Sequence, residues 1–115
     1  MRTASEFNTM FTHHFEELGK FVEVDGGLLK TRALDTFFDF LTDNKDCMLL
    51  YRPDLKSVME VRLMMLIGSG YHYRAYHYLR TLCDIEFREY YDENTDQCVE
   101  YFYNSQGELH YCFNT

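Results

Sequence analysis

The first two thirds of the chain repeat apolar residues at steps of three and four, which is the period of an amphipathic helix. The pattern predicts four helices, at about 3–18, 31–42, 54–67 and 69–83. Thr3 and Glu6 have the spacing of a capping box, and Asp54 is placed to cap the third helix. The run 47–51 is too short for its period to separate a strand from a buried helical turn.

The last third alternates apolar and polar residues instead, which is the period of a strand. Three such stretches, separated by turn-rich segments, predict an antiparallel meander over 85–113. If Gly107 closes a three-residue loop in the left-handed conformation, Asn104 lies opposite Glu108. That register places six side chains on one face, which we expect to face the helices: Val99, Tyr101, Tyr103, Leu109, Tyr111 and Phe113.

A short hairpin is predicted near residues 20–30, where a β-rich run, a Gly-Gly turn and a second apolar run follow one another. Together these elements predict an α+β fold, with about four helices packed on one face of the C-terminal meander, in a single domain spanning 1–115. The predicted core consists of Phe7, Phe11, Phe15, Phe37, Phe38, Leu41, Leu63, Leu66, Leu79, Val99, Tyr101 and Tyr111.

Composition narrows the class of protein. The chain has 115 residues, 46% of them apolar, which is ordinary for a packed globular domain. No apolar run approaches the roughly 20 residues of a membrane helix, and Glu6 and Asn8 interrupt the segment where a signal peptide would be apolar. We therefore expect a cytoplasmic protein without membrane contact.

The four cysteines contain no Cys-x-x-Cys pair, so we expect reduced thiols, no metal site and no cofactor.

Charge is the most unusual property of the chain. The net charge of −8 argues against direct binding to nucleic acid, which requires a basic face. Residues 84–115 contain eight acidic residues and one basic residue, a net charge of −7, whereas residues 49–83 carry +3. We take four acids of this segment as candidate partner-binding residues: Glu89, Asp92, Glu93 and Asp96.

An aspartate row adds to this picture, because Asp35, Asp39 and Asp43 lie four residues apart on the second predicted helix. That spacing stacks the carboxylates on one face, and no neighbouring base compensates the row within the helix. The row is a candidate surface for a basic partner. The alternative is an ordinary solvated helix face.

The segment 71–80 holds four tyrosines, two histidines and two arginines. Tyr71, Ala75, Tyr78, Leu79 and Leu82 form a predicted inward stripe of the fourth helix. Tyrosine and arginine are enriched at binding hot spots, so the remaining side chains are candidates for a partner-binding face. These candidates are Tyr73, Tyr76, His77 and Arg80. The alternative is a helix whose tyrosines cover the edge of the sheet.

These features together predict a non-enzymatic, acidic interaction protein. We expect an inhibitor, of the kind that viruses and mobile elements make, which docks an acidic face on a basic, nucleic-acid-handling protein and mimics the nucleic acid. The expected partner is thus a protein with a basic surface. The sequence leaves self-association open.

An alternative is a small-ligand or enzyme domain with a pocket between helices and sheet. Its candidate residues are His72, His77, Tyr76 and Cys83. The order of helices, a Pro-Asp turn and a meander closed by a glycine hairpin is similar to that of nuclear-transport-factor-like domains over 31–115. The resemblance includes no signature motif and leaves out the N-terminal helix, and it implies a ligand pocket.

Overall fold

The structure, a computed structural model, describes the backbone of residues 1–20 and 27–114, and the side chains of 1–20, 31–71 and 73–112. The described residues form five helices followed by three strands, which confirms the α+β prediction. The elements are α1 (Ala4–Gly19), α2 (Gly27–Asp43), α3 (Lys45–Tyr51), α4 (Asp54–Ile67), α5 (His72–Thr81), β1 (Glu86–Asp92), β2 (Gln97–Tyr103) and β3 (Leu109–Asn114).

The predicted capping box begins α1. The hydroxyl of Thr3 accepts a hydrogen bond from the backbone N–H of Glu6 at 3.2 Å, which satisfies one of the free donors at the helix start. Phe7 is fully buried, and its ring stacks on Phe40 of α2. Phe15 was expected in the core but is half exposed, because its side chain lies at the edge of the contact between α1 and α2.

Helix α2 begins at Gly27, earlier than the sequence pattern predicts. The second arm of the predicted hairpin, 28–30, is therefore helical rather than extended. A short apolar run fits either period, and here it continues the helix that follows it. The rest of the hairpin prediction, over 21–26, lies outside the described residues. The predicted apolar face of α2 is confirmed, since Leu34, Phe37, Phe38 and Leu41 are all buried.

The run 47–51 belongs to helix α3, in which Cys47 and Met48 are buried. Asp54 does not cap α4 as predicted. Pro53 occupies the N-cap position, and the Asp54 carboxylate pairs instead with Arg52 at 3.0 Å. Arg52 thus pairs with the Asp54 carboxylate, which would otherwise accept a hydrogen bond from a backbone N–H at the start of α4.

The sheet is the predicted antiparallel meander with strand order β1-β2-β3. Gly107 has φ of +77°, and the N–H of Asn104 donates to the carbonyl of Glu108 at 2.9 Å. The Asn104 side chain also accepts from the N–H groups of Gln106 and Glu108. The loop predicted between β2 and β3 is therefore confirmed.

In β2 the face of the sheet that meets the helices is the opposite of the predicted one, whereas Tyr111 of β3 packs against the core as predicted. Phe102 is fully buried, whereas Val99 and Tyr101, both expected in the core, lie on the other face. A β-bulge between Tyr103 and Phe102 pairs these residues with Leu109 and Tyr111, which leaves His110 as the extra residue. Both faces of β2 carry aromatic residues, so the alternation predicts a strand without identifying its buried side.

Helix α5 joins the sheet to the other helices. It packs against α2 and α4 on one side and against β1 on the other. The ring of Tyr76 stacks on Phe87 of β1 at 4.3 Å between centroids and also approaches Phe102 of β2. The predicted inward stripe of this helix is confirmed, because Tyr71, Ala75, Tyr78, Leu79 and Leu82 are all buried. None of the described helices is long and apolar enough to cross a membrane.

Candidate protein-interaction surface

Two carboxylates of the aspartate row accept hydrogen bonds from tyrosines of α5 and its N-cap. Tyr71 donates a short hydrogen bond to Asp35, which also lies 3.8 Å from Arg74, and the Asp35 side chain is only 21% exposed. Tyr78 donates to Asp39 at 2.7 Å. Residues from outside α2 therefore compensate two members of the row. Its partners lie on another helix, where spacing along the chain does not reveal them.

The tyrosines at this contact keep their protons. Burial raises the pKa of Tyr71 and Tyr78, and the hydrogen bonds to Asp35 and Asp39 raise each pKa further. These hydroxyls therefore remain donors across the physiological range. Asp43, by contrast, is exposed at the end of α2. Asp35 and Asp39 thus belong to the α2–α5 contact, although the Asp39 side chain is also exposed, and Asp43 lies on the open surface outside that contact.

All four candidates of the 71–80 segment line one groove between α5 and the start of β1. Tyr73, Tyr76, His77 and Arg80 form one wall of this groove, which has a volume of about 780 Å³, and Phe87 belongs to the other wall. Because Tyr76 also stacks on Phe87, the proposed covering of the sheet edge applies to this tyrosine. Tyr73 is 84% exposed, and His77 and Arg80 also face outward.

Asp84 also lines the groove, and it forms ion pairs with two lysines. Asp84 lies 2.9 Å from Lys45 and 3.2 Å from Lys56. Burial raises the pKa of Asp84, but the two lysine hydrogen bonds outweigh burial and lower it overall. Asp84 has φ of +58°, so this turn residue adopts the left-handed conformation that Asp tolerates better than most residues. The cluster ties α3 and α4 to the start of the sheet.

The remaining candidates lie on the hairpin formed by β1 and β2. Asp92, Glu93 and Asp96 lie at the end of β1 and in the turn that follows it, and Glu89 lies in the middle of β1, on the opposite face from Asp92; we call these four residues the acidic hairpin. Two carboxylates are fixed in place, because Asp92 accepts from the N–H of Asn94 at 3.0 Å and Asp96 accepts a short bond from Tyr91. Among the described residues, no ion pair neutralises any of the four.

Two features of the site were missed from the sequence. Glu100 faces the helices and is only 8% exposed, and it accepts a hydrogen bond from Tyr76 at 3.0 Å. The outward face of the sheet carries a row of aromatic residues with one arginine, which we call the outer tyrosine face. It consists of Arg88, Tyr90, Tyr101 and Tyr103. The alternating pattern places Tyr101 and Tyr103 on one face, but it predicts that this face packs against the helices.

The residues proposed for a ligand or enzyme pocket do not all meet. His77 and Tyr76 line the groove, whereas Cys83 is buried elsewhere and its thiol donates to the carbonyl of Lys56. Burial raises the pKa of Cys83 to about 12, which leaves the thiol protonated and unsuited to act as a nucleophile. The side chain of His72 lies outside the described residues. Within the described part of the chain, no His, Cys, Asp and Glu side chains are grouped to hold a metal ion.

No protein-family model, curated protein or solved structure matches the chain. The groove and the acidic hairpin lie at the two ends of β1, a strand of seven residues that spans about 20 Å at roughly 3.3 Å per residue. Both surfaces fit within one protein–protein interface of ordinary size.

Proposed function

We propose that the protein is a non-enzymatic inhibitor that docks the acidic hairpin on a basic surface of a nucleic-acid-handling protein. The observation that carries this proposal is the acidic hairpin itself. Three of its carboxylates lie at one end of the sheet and the fourth, Glu89, lies in the middle of β1, and no ion pair among the described residues neutralises them. Such a concentration of charge attracts a basic surface over a distance and raises the rate of encounter.

The fixed positions of the carboxylates favour mimicry of a nucleic acid over loose attraction. Asp92 and Asp96 are each held by a hydrogen bond within the turn, so their charges keep a set spacing. A basic groove built to bind phosphates recognises charges at set positions, and it binds a preorganised surface with little loss of conformational freedom. Asp43 and the rest of the aspartate row lie on α2, outside the acidic hairpin, and have no part in this contact.

The groove at the other end of β1 supplies the short-range part of the proposed interface. Tyr73 and His77 offer exposed aromatic area, and Arg80 lies beside them. Aromatic side chains contribute contact area at low cost in conformational freedom, so we expect them to slow dissociation rather than to speed association.

A small-ligand domain is the second candidate, and the volume of the groove favours it. About 780 Å³ is enough for a small molecule, and Tyr76, His77 and Arg80 offer it polar groups. Native mass spectrometry of the purified protein separates the two candidates. A small molecule that co-purifies with the wild type and is lost from an Arg80→Ala variant would favour the ligand domain.

The test of the inhibitor proposal is affinity capture from cell lysate at about 50 and about 300 mM salt, since screening shortens steeply over this range. The hairpin variant carries Glu89→Gln, Asp92→Asn, Glu93→Gln and Asp96→Asn. The control variant carries Glu6→Gln, Glu16→Gln, Glu17→Gln and Asp46→Asn. Each set removes four negative charges and changes the net charge from −8 to −4. Amide side chains preserve the hydrogen bonds that Asp92 and Asp96 accept.

We expect the wild type and the control variant to retain DNA- or RNA-binding proteins at low salt and to release them at high salt or on addition of duplex DNA. The hairpin variant should retain far less of the same proteins. Equal capture by the two variants would show that the acidic hairpin only keeps the protein soluble. Capture that duplex DNA does not displace would contradict mimicry of a nucleic acid.

A further inference from the structure

The outer tyrosine face is a continuous surface along one side of β1 and β2. Tyr90 and Tyr101 meet edge to face at 5.3 Å between ring centroids, and Tyr101 lies 6.4 Å from Tyr103. None of the described helices packs on this side, because the rings that meet α5 belong to Phe87 and Phe102 on the opposite face. Tyr90 is 50% exposed, whereas Tyr101 and Tyr103 are half-buried, so Tyr90 is the ring of the row most available to a partner.

The face already holds one guanidinium group. The Arg88 guanidinium lies 5.6 Å from the centre of the Tyr103 ring and 3.3 Å from the Glu86 carboxylate. One side chain of the molecule thus shows how this surface binds arginine, through an aromatic ring and a carboxylate.

The same components recur without a cation at the other end of the row. Asp92 shares the outward face with Tyr90, and Cα pairing places Val99 opposite Tyr90 and Gln97 opposite Asp92. Asp92 forms no ion pair among the described residues. The region around Tyr90, Tyr101 and Asp92 therefore offers aromatic area and a free negative charge, which complement a guanidinium group.

We propose that the outer tyrosine face binds arginine side chains of the partner protein, in preference to lysine side chains. The proposal rests on the proposed function, because it specifies the chemistry of the basic surface that the acidic hairpin attracts. A planar guanidinium stacks on an aromatic ring and donates to a carboxylate at the same time, whereas a compact, strongly hydrated ammonium does so poorly. Single-stranded nucleic acid could also stack on tyrosines, but a neighbouring charge of −7 opposes its phosphates.

The test compares two synthetic peptides of equal charge, alternating glycine with arginine or with lysine, by fluorescence anisotropy at about 50 mM salt. For the full-length wild type we expect the arginine peptide to bind about three- to ten-fold more tightly than the lysine peptide, the range that one or two cation–π contacts supply. Tyr90→Ala and Tyr101→Ala should bring that ratio close to one. Tyr91→Ala is the matched control, because Tyr91 is 58% exposed on the same strand but points to the opposite face. It also removes the donor to Asp96, so we expect it to weaken both peptides equally and to preserve the ratio.

The hairpin variant should bind both peptides more weakly and preserve the ratio, which separates the arginine preference from the acidic attraction. Equal affinity of the wild type for both peptides would overturn the preference and leave the acidic docking intact. The preference is also overturned if Tyr91→Ala lowers the ratio as much as Tyr90→Ala, if neither peptide binds, or if single-stranded oligothymidylate binds more tightly than the arginine peptide. Circular dichroism confirms that each variant is folded before its ratio is compared.

Discussion

The hydroxyl of Tyr78 donates a hydrogen bond to the carboxylate of Asp39 at 2.7 Å, and this bond joins helix α5 to helix α2. The same hydroxyl lies 3.3 Å from the backbone carbonyl of Asp35. Tyr78 is almost fully buried, and its ring stacks on Phe38. The aspartate face of α2, which could be an ordinary solvated face on sequence alone, is therefore part of the contact between α2 and α5.

Replacing Tyr78 with Phe should destabilise the fold by about 0.5–1.5 kcal/mol, because the hydrogen bond to Asp39 is lost while ring packing is preserved and water rehydrates the exposed carboxylate. Urea unfolding followed by circular dichroism measures the change. Tyr73→Phe is the control, since Tyr73 is 84% exposed and its replacement should change the free energy of unfolding by less than about 0.5 kcal/mol. Equal stability of the Tyr78→Phe protein and the wild type would contradict the contact.

Replacing Asp84 with Asn should make stability less dependent on acid pH. The pKa of Asp84 is lower in the folded protein than its ordinary value of 3.8, so the unfolded chain binds more protons in acid. Its contribution is therefore complete above pH 3.8 and is lost as pH falls through the folded pKa. Asn tolerates the positive φ, so the variant should lose only about 1 kcal/mol at neutral pH, and this difference should close in acid.

Urea titrations at pH 7, 5, 4 and 3 measure this difference. Glu93→Gln is the control, because its carboxylate is exposed and forms no ion pair among the described residues. A gap between Asp84→Asn and wild type that stays constant down to pH 3 would rule out the lysine–aspartate cluster as its source.

Tyr76 and Glu100 should show strong coupling in a double-mutant cycle. Tyr76→Phe leaves the carboxylate of Glu100 buried without its donor, at an expected cost of about 1–3 kcal/mol. Glu100→Gln alone should cost less, because the amide oxygen still accepts from Tyr76. Adding Glu100→Gln to Tyr76→Phe should recover part of the loss, since a neutral amide is easier to bury than a carboxylate. Additive effects in thermal or urea unfolding would contradict the coupling.

Two glycines should respond in opposite ways to alanine. Gly107 has φ of +77°, so Gly107→Ala should cost about 1–2 kcal/mol through backbone strain alone, because nothing lies within 4 Å of the added Cβ. Gly68 follows α4 with φ of −66°, and its added Cβ would lie 3.6 Å from the Met65 carbonyl oxygen, an ordinary contact. Gly68→Ala should therefore be neutral or stabilise the fold by up to about 1 kcal/mol. Thermal unfolding of the two variants tests the contrast.

The four thiols should react with a disulfide reagent in the order of their exposure. Cys112 is exposed and should react first, whereas Cys47 and Cys83 are buried and should react only on unfolding. Partial burial, together with Glu89, raises the pKa of Cys98 and should slow its reaction. The release of coloured thiolate at pH 8 measures each phase, and Cys112→Ser should remove the fastest one. A fast phase that survives this substitution would place the reactive thiol elsewhere.

Local patterns predict the elements of this protein well, because helix periodicity, the Thr3 capping box and the left-handed Gly107 act within a few residues. The faces of the sheet are a different case. Aromatic residues occupy both sides of β2, and a Glu on the buried side is tolerated only because Tyr76 comes from another element to donate to it. The extra residue His110 then shifts the register of β3, and no local signal marks the bulge.

The residues of the candidate site also divide into those that a local pattern predicts and those that it does not. The groove residues Tyr73, His77 and Arg80 could be found from the composition of one helix, since outward positions follow from its period. The fate of Asp35 and Asp39 could not, because their donors lie about forty residues away along the chain. The chain has ten tyrosines, and its nineteen acidic residues outnumber its eleven basic residues. This composition indicates that some carboxylates bond tyrosine hydroxyls instead of bases.

Tyrosine hydroxyls hold the exposed carboxylate of Asp39 and the buried carboxylate of Glu100, and neither carboxylate forms an ion pair among the described residues. Hydrogen bonds of this kind depend little on ionic strength, while repulsion among the surface acids is screened by it. Added salt therefore weakens the repulsion that the net charge of −8 causes and leaves the hydrogen bonds between tyrosines and carboxylates in place. It weakens the proposed docking of the acidic hairpin at the same time. Folding and recognition thus respond to salt in opposite directions, and the conditions under which the protein is most robust are those under which it is least able to hold a basic partner.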